Sequence, residues 1–322
     1  NLLLNLRNMH RMERAEVEKA LKRTQTALKH QLQQLAKVAR DWASWDDTYE
    51  YICTRNPAYE ESNLVPTTFI NLGIDLFLLV NLEGRPVIAI QMDREKGVFL
   101  PPAGEFLSLL ADADPQDQSA DGKAGLSGMV VVEGLPYLLS VMPVLPSSEE
   151  GPPRGKLAMA RRIDEENITW MEGATGAKVE IFPASGGSVP RGAEGPVAEL
   201  LESGRNAYRS EGLDLIKGYC LLHTEVEGPL VMAVTLPRDV FRSALYSSLL
   251  LFATLLGSSL LVIFGVYAVV SAFFLRPLER MTEALRTGLP ETSFRLLLGK
   301  REDELATLAE ALDRAFDERK RS

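Results

Sequence analysis

The sequence predicts an α+β chain. A long helix leads into an antiparallel sheet module, which is followed by one complete membrane helix and a helical tail. Three observations carry this. No Gly or Pro occurs before Pro57, and apolar positions recur every three to four residues up to that point. From Asp75 onward, short apolar runs alternate with Gly/Pro/Ser punctuation, the pattern of strands and turns. From Ser243 to Leu275 there is no charged residue at all.

The composition is that of a globular protein: 322 residues, 46% hydrophobic and 25% charged. A net charge of −9 disfavours nucleic-acid binding, and two cysteines exclude a disulfide framework or a four-cysteine zinc site. Cys53 and Cys220 are those two, and the sequence leaves open whether they pair. Three histidines (His10, His30, His223) leave little for histidine-based catalysis.

Residues 1–8, beginning NLLLNL, read as the end of a first membrane helix. The spacing then predicts one stalk helix over 9–53. Its stripe is Val17, Leu21, Thr24, Leu28, Leu32, Leu35, Ala39, Trp42, Trp45/Asp46 and Tyr49. Asp75-LFLLVN and Pro86-VIAIQM read as a hairpin across Glu83-Gly84. Leu107–Leu110 is a short helix, and Asp112–Asp121 is a polar loop whose acid spacing does not fit an EF-hand. Strands follow at Met129-VVVEG, Leu135-PYLLSVMPVL and Lys156-LAMARRI. Asp164 caps a short helix. Lys178-VEIF is a strand, and 185–196 is a Gly/Pro-rich loop. A closing pair, Ile216-KGYCLLHTEV and Pro229-LVMAVTL, leads through Pro237-Arg238-Asp239 toward the apolar block.

That block, 243–275, is long enough to cross a bilayer core, which takes about 20 helical residues. Arg242 and Arg276 bracket it. Arg276, Arg280 and Arg286 fit a cytoplasmic flank, which places the preceding 9–240 outside the cytoplasm. The nine Lys/Arg between Arg7 and Arg40 pull the other way, but long translocated domains escape that bias.

The run Asp41-Trp42-Ala43-Ser44-Trp45-Asp46-Asp47-Thr48-Tyr49 has two indoles and an acid at helical spacing. Two indoles bury a large area, and Asp46 beside them needs a cation or backbone N–H groups. Asp47 and Thr48 are placed to cap local backbone. This run resembles the D-W-A-x-W-D-D-T motif of the fourth class of CHASE extracellular sensory domains. Asn71-Leu72-Gly73-Ile74-Asp75, the hairpin and Pro237-Arg238-Asp239 extend the likeness over about residues 30–240. The resemblance implies a PAS-like (PDC/Cache-like) module that senses a small extracytoplasmic molecule. Two roles stay open for Trp42, Trp45, Asp46 and Tyr49: clipping the stalk to the sheet, or contacting ligand. Phe77, Tyr137 and Arg161 are further ligand-contact candidates, Arg161 as a carboxylate fork. If Trp45 is core, Trp45→Ala should cost roughly 3–5 kcal/mol.

Residues 276–322 resemble a HAMP relay domain. Arg276-Pro277-Leu278 opens its first helix, with Leu278, Met281 and Leu285 on the core stripe. A connector holds Gly288 and Pro290, and Asp303-Glu304-Leu305 opens the second helix, with Ala306 where the family commonly has glycine. The resemblance implies a parallel homodimer in a bacterial inner membrane, with this tail cytoplasmic.

The reading is a receptor input region feeding an output outside these residues. A diguanylate cyclase or phosphodiesterase comes first and a sensor histidine kinase second, with a non-signalling membrane-anchored binding protein as the alternative. No histidine follows Arg276, and no G-G-D-E-F run, G-x-S-x-G elbow, H-E-x-x-H or phosphate loop occurs. No catalytic residue, metal or cofactor is implied, and the partners are a small molecule, the bilayer and a second copy.

Overall fold

The computed structural model describes residues 2–94, 96–112, 125–184, 188–224, 228–287 and 304–321. The chain divides into two compact units, Asn1–Arg242 and Ser243–Ser322.

The first unit is organised by α1, Leu2–Ala43, a helix of 42 residues and therefore about 60 Å long. Its sequence stripe is its buried stripe: Val17, Leu21, Thr24, Leu28, Leu35 and Ala39 are nearly or fully inaccessible. Thr24 is tolerated there because its hydroxyl donates to the Ala20 carbonyl one turn back, 2.9 Å away.

The stalk does not continue to residue 53. It stops at Ala43, and α2 (Asp46–Thr54) restarts after Trp45, whose backbone is extended at φ −92°, ψ 131°. The break is held from the sheet side, because the Ala43 carbonyl accepts from the Leu145 N–H at 3.1 Å. Two short helices follow, α3 (Pro57–Asn63) and α4 (Pro66–Leu72), each with proline in its first turn.

The antiparallel strands form two sheets. The first contains β1 (Leu76–Asn81), β2 (Pro86–Asp93), β3 (Val98–Leu100), β4 (Leu126–Val132), β5 (Leu135–Val144) and β6 (Gly155–Arg162), in the order β3-β2-β1-β6-β5-β4. Strand period sorts its side chains. Phe77, Leu79, Leu138 and Met142 face the α1 core. Leu76, Leu78, Val80 and Leu139 face Phe106 and Leu110 of α5 (Gly104–Asp112).

The second sheet follows α6 (Glu165–Thr175). It contains β7 (Lys178–Pro183), β8 (Ala207–Glu211), β9 (Leu215–Leu222) and β10 (Leu230–Pro237), in the order β7-β10-β9-β8. One face shares the α1 core through Ile216, Cys220, Met232 and Val234. The other is covered by Val197 and Leu200 of α7 (Glu194–Ser203). That helix starts inside the stretch expected as loop. Its Gly195 and Pro196 sit in the first turn, where backbone donors have no helical partner to lose. Cys53 is exposed, Cys220 is buried, and both are free thiols.

Asp239 begins α8 (Asp239–Val270), which passes into a π-helical turn at Ser271–Leu275 and then α9 (Arg276–Thr287). Phe241–Arg280 is a continuous helix of 40 residues whose central apolar stretch is exposed. Among the described residues it is the one helix long and apolar enough to cross a membrane. The tail ends with α10 (Glu304–Arg321). The acidic loop at 113–124 and the connector with Gly288 and Pro290 lie outside the described residues.

Close approach of α1 to β9 requires Gly218. A Cβ there would overlap Val17 Cγ1 and press on Leu21 Cδ1 at 3.3 Å. Gly218→Ala should therefore destabilise the chain by about 1–3 kcal/mol through overpacking. Adding Val17→Ala should recover part of the loss, as read by denaturant unfolding of the full chain in detergent. A single variant as stable as wild type would refute this packing.

Candidate functional site

The motif residues meet at the top of α1. Trp42 packs edge-on to Trp45 and to Phe77, with ring centroids 5.7 Å apart in both pairs. Trp45 leans on Tyr59 of α3, which stacks on Tyr51 of α2 at 4.7 Å. Aromatic contacts of this kind add modestly to the area they bury. Thr48 does not cap the helix. It is buried, and its hydroxyl bonds the Tyr59 hydroxyl at 2.9 Å. Burial pushes the Tyr59 phenol up to about 12.

Asp46 is exposed and its Oδ1 accepts from the Ser147 N–H at 2.9 Å. That backbone hydrogen bond, with a second from the Ser147 side chain, holds the carboxyl below its ordinary value of 3.8. Tyr49 leaves this group: Arg154 stacks on its ring at 3.8 Å, and its hydroxyl donates to the Pro152 carbonyl. The helix break separates Trp42 from Trp45, Asp46 and Tyr49, so the single helical face expected for these four does not exist.

Phe77 and Tyr137 are core residues on opposite faces of the first sheet. Phe77 joins Trp42 and Phe69, whereas Tyr137 packs edge-on against Phe106 at 5.2 Å.

Arg161 alone among the sheet candidates opens onto a cleft. This cleft, about 540 Å³, lies between α1, the end of α4, β6 and α6, and is lined by Gln31, Val38, Ile70, Arg94, Arg161 and Trp170 among others. Gly73 makes room for Arg161. It ends α4 in the left-handed region at φ 63°, and a Cβ there would come within 3.1 Å of Arg161 Nη2. Arg161 donates from Nε to the Gly73 carbonyl (2.5 Å) and from Nη2 to the Leu72 carbonyl (3.0 Å). Burial, with Arg94 nearby, lowers its pKa.

Arg94 anchors the adjacent charge cluster. Its Nε is 2.8 Å from Asp75 Oδ1, and its Nη1 is 3.5 Å from Asp164 Oδ2. The Arg162 N–H donates to Asp75 Oδ2 at 2.6 Å. Burial outweighs these partners and raises the Asp75 carboxyl. Burial also pushes on Asp164, but the Asn167 N–H and side chain, with Arg94 and Arg162, hold it below the usual range. Sequence reasoning missed Arg94 and Gln31. No local pattern marks either one, because the end of β2 and α1 bring them to one cleft from distant parts of the chain.

A second missed constellation lies at the other end of α1. Arg238 donates from Nε to Glu13 Oε1 (2.7 Å) and from Nη2 to Oε2 (3.0 Å), with both side chains buried. Its Nη1 donates to the Gly212 carbonyl at 3.0 Å, and its guanidinium covers the Phe241 ring at 4.0 Å. Of the relay candidates, Leu278 is exposed on α9. Asp303 and the side chains of Pro277, Met281, Leu285 and Glu304 lie outside the described residues.

Residues 27–182 match the family model of the CHASE4 domain. The chain is 27% identical over 323 residues to the methanogenesis regulatory histidine kinase FilI of Methanothrix harundinacea, covering 95% of this chain and 34% of FilI. It therefore spans about a third of that relative's length. Among solved structures, it resembles the extracellular domain of vpHK1S-Z8, described as a candidate histidine kinase (12% identity, TM-score 0.48, covering 74% of this chain and 96% of that one). It also resembles the sensory domain of the Campylobacter jejuni chemoreceptor Tlp3 (8% identity, TM-score 0.44, covering 73% and 97%).

The aromatic corner predicts an ordering of stabilities. Phe77→Ala should cost about 3–5 kcal/mol. Trp45→Ala should cost clearly less, because Trp45 remains 38% exposed. Thermal melts of the two variants check this, and an equal or larger loss at Trp45 would overturn it.

Asp46 has a pH signature. Its folded-state pKa is depressed, so its stabilisation is present above about 3.8 and is lost as pH falls through the lower folded value. The stability gap between wild type and Asp46→Asn should close below that pH. A gap that stays constant from pH 6 to pH 3 would contradict the Ser147 contact.

Proposed function

We propose that this chain, with its CHASE4 sensory domain and membrane helix, is the input part of a receptor that reports an extracytoplasmic small molecule to a cytoplasmic histidine kinase. The single observation that carries the relay is the buried Glu13–Arg238 pair. It ties the base of α1 to Arg238, the single residue between β10 and α8. A ligand that favours one arrangement of α1 over another thereby biases the segment that enters the membrane helix. The shift available is no larger than the ligand's differential affinity for the two arrangements.

The kinase output is supported by FilI, the relative whose similarity covers nearly the whole chain. The same input would serve a diguanylate cyclase or phosphodiesterase. In this reading residues 276–322 act as a HAMP relay in a parallel homodimer, with Pro277, Leu278, Met281, Leu285, Asp303 and Glu304 in its helices. Arg276, Arg280 and Arg286 on the tail side favour a cytoplasmic tail, with the sensory unit on the outer side of the inner membrane.

Topology is directly testable. In intact cells a membrane-impermeant maleimide should label the exposed native Cys53, whereas a cysteine at Leu278 should react only after permeabilisation. Labelling of both positions in intact cells would end the receptor reading.

The coupling is tested by removing one partner. Glu13→Ala leaves a buried guanidinium unpaired and should cost about 3–5 kcal/mol. An apolar pair, Glu13→Leu with Arg238→Met, should regain most of that stability in a denaturant melt yet leave ligand-dependent output impaired. Normal signalling by the stable double variant would show that the pair is only a fold contact.

A further inference from the structure

The cleft beside Arg161 holds unmet polar groups of complementary kinds. Among the described residues Arg161 forms no ion pair, although it is half-buried and two of its nitrogens are committed to neutral carbonyls. Arg94 Nη2 is buried with no hydrogen-bond partner. Gln31, only 8% exposed, has its Oε1 buried with no partner either. Native interiors rarely leave such atoms unpaired, and each one costs stability until a partner arrives. All three residues line one cleft, whose remaining wall includes the apolar Val38, Ile70 and Trp170. A cleft of about 540 Å³ is within the size range of small-molecule sites.

We infer that this cleft binds a small organic carboxylate that also carries a hydroxyl group, with the carboxylate on the Arg161 and Arg94 guanidinium groups and the hydroxyl donating to Gln31 Oε1. A planar guanidinium presents paired donors that match a carboxylate's two oxygens. The apolar wall selects an organic tail over an inorganic oxyanion. A hydroxy acid fits better than an amine of the same shape because Arg161 has no acid partner, so a net negative ligand supplies what it lacks. Among the lining residues Glu166 is the sole carboxylate; its side chain is 88% exposed and reaches Arg94 Nη1 at 4.0 Å, so with Asp75 and Asp164 it already engages Arg94 through Nε and Nη1, leaving Nη2 and the Arg161 guanidinium for the ligand. The location also matters: the cleft touches the C-terminal third of α1, together with α6, which leads into the second sheet. This inference rests on the receptor reading above for its biological meaning, but not for its chemistry.

The test is calorimetric titration of the full chain in nanodiscs with 2-hydroxy-4-methylpentanoate. Comparators are 4-methylpentanoate, 2-hydroxy-4-methylpentanamide and sodium sulfate. The hydroxy acid should bind on the order of tenfold or more tightly than either organic comparator, each of which leaves one polar group unmet. Gln31→Leu removes the unpaired oxygen, so it should melt no lower than wild type and abolish the preference for the hydroxy acid over its deoxy analogue. Arg161→Lys keeps the charge and loses the fork, and should weaken both acids by on the order of tenfold.

The site is overturned if the wild-type chain binds none of the acids, if Arg161→Lys binds them unchanged, or if sulfate displaces them at equal concentration. The receptor reading fails separately. Saturating hydroxy acid that binds but leaves the maleimide reaction rate at a Leu278 cysteine unchanged would keep the site and reject the relay.

Discussion

A single helix serves two sheets. Because α1 presents one continuous apolar stripe, the six-stranded and the four-stranded sheet bury their inner faces against different turns of the same rod. Each sheet covers its other face with a short helix of its own, α5 in one case and α7 in the other. Neither sheet's inner core is complete without α1, so displacement of that helix is felt by both. Gly218 shows how close the packing is, since one added carbon on β9 would collide with Val17.

The ends of α1 are fixed by different chemistry. At the top an aromatic corner and a backbone hydrogen bond from Leu145 stop the helix. The dense packing there resists deformation. At the base the Glu13–Arg238 contact is ionic, bidentate and buried. A buried pair of this type contributes little net stability relative to apolar side chains, yet leaving one partner alone is costly. In the proposed relay it serves as a register device between α1 and Arg238, because separating the two would leave a buried charge unpaired.

The cleft lies between these ends, and that placement separates two roles that the motif had joined. Trp42, Trp45 and Asp46 shape the corner, and Phe77 completes its core. The unpaired polar atoms are elsewhere, on Gln31 and Arg94, beside Arg161, whose hydrogen bonds go only to neutral carbonyls. A molecule seated there would touch α1 at Gln31 and Val38 while also touching α4, β6 and α6. Its binding energy would bear on the element that both sheets share.

Much of this was legible in the residues alone. The stripe of α1, the β1–β2 and β9–β10 hairpins, the Asp164 cap and the apolar block each depend on neighbours within a few positions, and local spacing reports such neighbours directly. The D-W-A-S-W-D-D run marked the corner, and Arg161 was singled out as a possible fork. Only the tertiary structure decided the break at Trp45, the split into two sheets, the burial of Phe77 and Tyr137 on opposite faces, the burial of Gln31, and the partnerships of Arg94 and Glu13. The reason is distance along the chain. Glu13 and Arg238 are 225 positions apart, and an ion pair of that span has no periodicity for a sequence to display.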